Sequence, residues 1–328
     1  MKNIRLSDIA DELGVTVNTV SKAIRGAGGI SERCRKEILE TADKMGYVPN
    51  RVATSLRYGQ SKMVAIVFDT LMNPYYMIMT DLLFSRLSRF GYDIIIFAGI
   101  YNQLKTEDLS NIMGRQVDGI ITFIEPQPKV LEILKKNRIG IVLLGRQNKE
   151  IEVDSVSTDD FRGGYLMGEY LMEKQRKNVC YLGTSRSVEC SQRRLNGLKQ
   201  GLAAHGYTFC DDHTAYMEEN NINPLVDELV QKNADAIFCF SDIMALQCIA
   251  RLRKKGIRVP EDVLVTGYDD IQAEYPVPAP FVTVSSDKQK IADAAVDLLL
   301  EKIVRRKEDS SMDDVKRLDF EVCIKEND

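Results

Sequence analysis

From residue 63 onward, short apolar runs recur along the chain: "MVAIVF", "YDIIIF", "GIITFI", "IGIVLL", "VCYLG", "AIFCF" and "VLVTGYD". The segments between them carry helical periodicity. Strands apolar on both faces, alternating with helices, predict parallel sheets covered on both sides, a doubly wound α/β body. A weak repeat runs through it. "RFGYDIII" (89–96) is followed by "VDGIITF", 27 residues from Gly91 to Asp118, and "AHGYTF" (204–209) by "ADAIFCF", 29 residues from Gly206 to Asp235. Two similar lobes follow from that spacing. The pattern closes with a helix over 290–304 ("KIADAAVDLLLEKIV") and a strand over 318–324 ("LDFEVCI"), separated by the charged, exposed loop "RRKEDSSMDD".

The first 46 residues have a different texture, all helix. Leu6, Ile9, Ala10 and Leu13 fall at i, i+3, i+4 and i+7, and Gly14 ends that helix. Thr16 caps a second helix, whose Val20, Ala23 and Ile24 face inward. Gly26, Gly28 and Gly29 break it. Ser31 caps a third, with Cys34, Ile38, Ala42 and Met45 inward and Gly46 closing it. Helices joined by so short a turn, with a third completing the core, predict a helix-turn-helix. The outer face of the second helix presents Val17, Asn18, Ser21, Lys22 and Arg25, a mixture suited to reading rather than to simple solvation. Residues 47–61 form a linker: Pro49 stops the third helix, and Asn50 starts a helix of at most two turns before Gly59, too short to be stable alone.

Charge sharpens the division. Residues 1–61 hold ten Lys/Arg against seven Asp/Glu, a net of +3; set against the chain's −4, the remainder carries −7. A basic head on an acidic body points to a polyanion as the head's partner. At 328 residues with 44% hydrophobic and 28% charged positions, the chain has the composition of a globular protein with more than one core. No apolar run reaches membrane-spanning length, and "MKNIRLSDIADELG" lacks the apolar region of a secretion signal. Seven scattered cysteines without a C-x-x-C motif read as reduced thiols, so a cytoplasmic location is expected. His205 and His213 are the only histidines and neither sits in a ligand-like cluster, so no metal site is expected. No dinucleotide fingerprint, phosphate-binding glycine loop or Ser-His-Asp set occurs. The expectation is a protein that is not an enzyme and needs no cofactor.

Three segments together are similar to the lactose-repressor (LacI/GalR) family of bacterial transcription regulators: "LSDIADELGVTVNTVSKAI", "ILETADKMGYVPNRVATSL", and the body's "MNPYY … RRLNGL … FSDIMAL … VTGYDD". The resemblance spans residues 4 to about 324. It implies a helix-turn-helix DNA-binding domain (1–46), a hinge helix and linker (47–61), and a two-lobed core like the periplasmic binding proteins (62–328) that also dimerises. The expected N-lobe covers 62–157 and 288–317, the C-lobe 158–287 and 318–328. Val17, Asn18 and Lys22 correspond to base-reading positions. Asn18 suits adenine, Lys22 guanine, and Val17 a thymine methyl. Ser21, Thr19 and Arg25 fall to phosphates, and Ser7 and Thr16 join the contact set. The family's hinge helix lies in the minor groove, where Leu56 would wedge into a base step, with Ala53 one turn before it and Asn50, Arg51 and Arg57 beside the backbone. One head reads few base pairs, so a two-fold homodimer on a nearly palindromic double-stranded operator is expected. The chain ends soon after its last strand without a heptad tail, which favours a dimer over a tetramer.

For the body, ligand is expected between the lobes at the carboxyl ends of strands. Asn73, Tyr75 and Tyr76 follow one strand; Ser241 and Asp242 follow another; Asp269 follows a third. Arg194 and Asp269 match the family's ligand-contacting arginine and acid, and Arg146 follows Gly145 where many members have aspartate. Such a set suits hydroxyl-rich ligands, since a carboxylate accepts from paired hydroxyls and arginine donates in a fork. A sugar is the first expectation for a small-molecule effector; a sugar phosphate, a nucleobase and a protein co-effector stay open. The overall expectation is a repressor whose operator affinity responds to that ligand. The alternative is a ligand-binding protein without DNA function.

Overall fold

The computed structural model describes residues 4–48, 60–100, 103–146, 148, 150–217, 221–275, 281–307 and 315–327. Asn50, Arg51, Ala53, Leu56 and Arg57 lie outside these. The chain divides into two compact units, Met1–Ser61 and Lys62–Asp328.

The described residues of the first unit form three helices: α1 (Leu6–Leu13), α2 (Val17–Ile24) and α3 (Glu32–Lys44). Gly14 takes the left-handed conformation (φ 62°) that ends α1. The Thr16 Oγ1 accepts the Thr19 backbone N–H at 3.1 Å and starts α2. Ile9, Ala10, Val20, Ala23, Ile38 and Ala42 form the core of this unit.

The second unit alternates strands and helices. Its strands are β1 (Met63–Val67), β2 (Asp93–Phe97), β3 (Gln103–Leu104), β4 (Gly119–Thr122), β5 (Glu125–Pro126), β6 (Gly140–Leu144), β7 (Asp154–Thr158), β8 (Val179–Gly183), β9 (Thr214–Tyr216), β10 (Ala236–Cys239), β11 (Leu264–Tyr268), β12 (Val282–Ser286), β13 (Arg317–Phe320) and β14 (Val322–Lys325). Its helices are α4 (Pro74–Ser88), α5 (Thr106–Met113), α6 (Pro128–Lys136), α7 (Asp160–Glu173), α8 (Glu189–Ala203), α9 (Asn223–Gln231), α10 (Asp242–Lys254) and α11 (Lys288–Lys307). One sheet runs β13-β7-β6-β4-β1-β2, entirely parallel; the other runs β14-β12-β11-β10-β8-β9, parallel except for β14. Along β1 the side chains alternate between the two faces. Val64 and Ile66 pack with Met79, Leu83 and Ile291, whereas Ala65 and Val67 pack with Leu109, Ile112 and Val130. The other sheet is covered likewise, by α7 and α8 on one side and α9 and α10 on the other.

Three crossovers join the lobes: β7 to α7, β12 to α11, and β13 to β14. The last one corrects the sequence reading. The strand expected over 318–324 is two strands, one in each sheet. Leu318 pairs with Val156 of β7, and Cys323 pairs with Ser285 of β12. Leu318–Phe320 therefore belong with the first lobe. The polar composition of β7, "DSVST", hides a fully buried strand. Its Asp154 accepts from the Lys316 backbone N–H (2.8 Å) and pairs with Lys302 (3.0 Å), and its Ser157 donates to Asp319 (2.5 Å).

Candidate functional site

Two places carry functional chemistry. In the first unit, the outer face of α2 leaves Val17 47% exposed, with Asn18 and Arg25 exposed beside it and Lys22 half-buried. Thr16 is spent on the cap, where its hydroxyl also meets the Thr19 hydroxyl at 2.8 Å. Ser7 is half-buried in the first turn of α1. Ser21 departs from expectation: it is only 8% exposed, because the residue after Val20 is still turned toward the three-helix core. Its carbonyl instead accepts from Arg25 Nε (3.0 Å), which lays the Arg25 side chain along the end of the helix. Sequence reading passed over Arg35. From α3 it donates to the carbonyls of Ala23 (3.3 Å) and Ala27 (2.7 Å), satisfying the open end of α2 and fixing that helix on the head.

The second place is a cleft of about 90 Å³ at the carboxyl ends of strands of both sheets. Asn73, Tyr75, Tyr76, Arg146, Arg194 and Asp269, expected from different parts of the sequence, all line it. Asn73 caps α4, its Oδ1 accepting from the Tyr75 N–H (3.1 Å) and its amide nitrogen remaining a donor. Tyr76 stacks on Phe68 (5.2 Å between centroids) and meets Phe123 edge-on (5.0 Å); Tyr75 meets Phe123 edge-on at 6.3 Å. Both tyrosines are therefore packing groups as well as wall. Burial raises both phenols, which stay neutral hydroxyls.

Arg194 is 5% exposed. Its Nε donates to Asp160 (2.8 Å) and its Nη1 to the Phe240 carbonyl (2.5 Å). The guanidinium lies 3.4 Å from the Tyr268 ring centroid and 4.5 Å from that of Phe240. Burial opposes its charge, but Asp160, Tyr268, Cys190 and Asp269 together outweigh that and hold it well above the usual arginine range. Asp269 follows β11 with φ 105°, and its neighbour Asp270 has φ 50°. Burial pushes the Asp269 carboxyl up to about 7, against the pull of Arg194 and Lys288. Near neutral pH it is therefore shared between accepting and donating forms. Arg146 remains charged. Burial opposes this, and nearby Cys190, Tyr76, Glu125 and Asp69 favour it. Among the described residues nothing fixes its guanidinium by a hydrogen bond or ion pair.

Ser241 and Asp242 do not reach this cleft. Asp242 is fully buried behind it, where it accepts from the Thr283 hydroxyl (2.6 Å) and the Ile271 N–H (2.9 Å). Ser241 is 3% exposed at the start of α10. The residue before them, Phe240, supplies the wall instead. Sequence reading missed two acids. Asp69, two residues beyond β1, lines the cleft with a buried Oδ1 that has no partner among the described residues. Its position at a strand's carboxyl end was the available signal. Asp160 was hidden by the unrecognised polar strand before it.

Comparison with known proteins identifies the family. Residues 5–50 match the model for bacterial regulatory proteins of the lacI family, and residues 169–322 match a periplasmic binding protein-like domain. The HTH-type transcriptional regulator DegA of Bacillus subtilis is 30% identical over 289 residues, covering 85% of each chain. The chain belongs to the lacI family of bacterial regulatory proteins. This lacI-family member is a DNA-binding transcriptional regulator. Its fold matches that of the lac repressor dimer bound to operator and an anti-inducer (TM-score 0.79, 19% identity, 99% of this chain and 98% of that one). It also matches the transcriptional regulator CelR in complex with cellobiose (TM-score 0.69, 23% identity, 98% of each). No helix among its described residues is long and apolar enough to cross a membrane.

Proposed function

We propose that this regulator represses transcription as a two-fold dimer on a nearly palindromic operator, and that a neutral, hydroxyl-rich molecule of sugar type in the cleft changes its grip on DNA. Residues 1–46 read DNA, 47–61 link, and 62–328 bind ligand and dimerise. The base-reading role falls to Val17, Asn18 and Lys22, the phosphate role to Thr19 and Arg25, and the hinge role to the segment around Leu56. The observation that carries the ligand reading is the composition of the cleft wall. Arg194 is already paired with Asp160 and stacked on Tyr268. That leaves Arg146 as a donor, with Asp69 and Asp269 as acceptors, balanced enough in charge to favour hydroxyls over an ion. The cavity of about 90 Å³ is smaller than the few hundred Å³ usual for ligand pockets, so a sugar enters only as the lobes part.

A thermal-shift screen of the full chain against cellobiose and common neutral monosaccharides, each matched with its acid and phosphate, tests this. Binding to the native state raises the melting temperature by mass action. A neutral sugar should do so, and Asp269→Ala should abolish the shift while operator binding persists. Stabilisation only by the phosphates or acids overturns the sugar reading. Arg194→Ala is the poorer probe, because it strands Asp160 as an uncompensated buried charge.

A further inference from the structure

Lys288 is the first residue of α11 and is 6% exposed. Its ammonium donates to the Asp270 carbonyl (2.9 Å) and lies 3.9 Å from both the Asp270 carboxylate and Glu274. The Asp270 carboxylate also accepts from Ser285 of β12 (2.7 Å) and Lys325 of β14 (3.0 Å). Two successive non-glycine residues, Asp269 and Asp270, are thus held in left-handed backbone conformations that neither favours. Further bonds brace the turn. The Asp269 N–H donates to Val284 (3.0 Å), the Asp270 N–H to Thr283 (3.4 Å) and the Ile271 N–H to Asp242 (2.9 Å). All of those braces lie within the lobe of the second sheet. Lys288 alone among them begins a helix that packs, through Ile291, Ala292 and Ala295, in the core of the first sheet.

We propose that Lys288 is a positioning residue that couples the cleft to the other lobe: it ties the strained Asp269–Asp270 turn to the first turn of α11, so that a change at Asp269 displaces that helix. The inference rests on the cleft reading only in naming ligand as the natural cause of such a change. Protonation of Asp269 is a second cause, present without any ligand. Tyr75 and Tyr76 face Asp269 from α4, Asp160 from α7, Cys190 and Arg194 from α8, Asp242 from α10, Tyr268 from the end of β11 and Lys288 from α11; Lys288 itself faces Asp270 and Glu274.

The test is a pH titration of the full chain by NMR, following the Asp269 carboxyl carbon and the Ile291 δ1 methyl. The methyl should move with the carboxyl, at one shared midpoint near 7. In Lys288→Met the carboxyl midpoint should rise, because a cation that lowers it is gone, and the methyl should lose the transition. Lys288→Arg should restore both. A methyl that stays still through the Asp269 midpoint in the unsubstituted protein overturns the proposal. So does one that follows it unchanged in Lys288→Met. If methionine at 288 prevents folding, Lys288→Gln replaces it, and the unsubstituted titration still decides. No ligand is used, so a cleft that binds no sugar leaves this result standing.

Discussion

Asp269 shows how much one residue carries here. Its motif made it legible in the sequence, but its protonation was not, because burial comes from residues scattered between Tyr75 and Lys288. Its carboxyl lies at 3.8 when free and at about 7 in the fold. Between those values the folded protein holds a proton that the unfolded chain has lost. This contribution to stability therefore falls as pH rises through that window and is constant above it. Asp269→Asn removes the dependence. In urea, the variant should match the parent near about pH 4 and exceed it near about pH 8; equal stability at both would mean the carboxyl is not buried as described. Asn18 is the matching case in the head, exposed on α2 beside Val17. Asn18→Ala should weaken binding to a selected operator by about 1–3 kcal/mol and leave random DNA nearly unaffected. Salt-titrated binding to both duplexes separates this from a phosphate contact, which would lower the two together.

Elements were legible wherever hydrophobicity announced them. The head's helices followed from one apolar stripe each, and seven strands from continuous apolar runs. The failures share a cause. β7 and β12, "DSVST" and "VTVSS", are strands with polar side chains, several of which bond partners far along the chain, as Ser157 bonds Asp319 and Thr283 bonds Asp242. The split of the last strand was invisible because alternation reports a face, not which sheet supplies it. A further device of element scale is the packing of α7 on α8. A Cβ at Gly164 would lie 2.0 Å from the Arg194 carbonyl, and one at Gly197 2.0 Å from the Phe161 carbonyl. The two backbones touch, and this sets Arg194 beside Asp160. Gly197→Ala should cost about 3 kcal/mol in denaturant unfolding. Gly28→Ala, where a Cβ meets nothing within 4 Å, should stay within about 0.5 kcal/mol of the parent. A tolerated Gly197→Ala would mean that the helices have room to separate.

At the scale of the whole molecule, the question is how one short helix selects one site in a genome. α2 spans Val17–Ile24, and the three side chains proposed above to read bases would cover only a few base pairs. Specific binding then requires a second copy of the head on the same duplex, and a two-fold pair places the two recognition helices about one helical turn apart. Spacing becomes a property of the protein rather than of the sequence read. Inserting five base pairs at the centre of a selected operator rotates one half-site by about half a turn. The full chain should then bind no more tightly than it binds an isolated half-site, although every base contacted is unchanged. The uninterrupted palindrome should bind far more tightly than either, with a stoichiometry of two chains per duplex. Affinity that survives the insertion, or one chain per duplex at saturation, would mean that the heads act independently. The cleft could then not regulate through a shared arrangement of the pair, and any ligand effect would have to act on each head by itself.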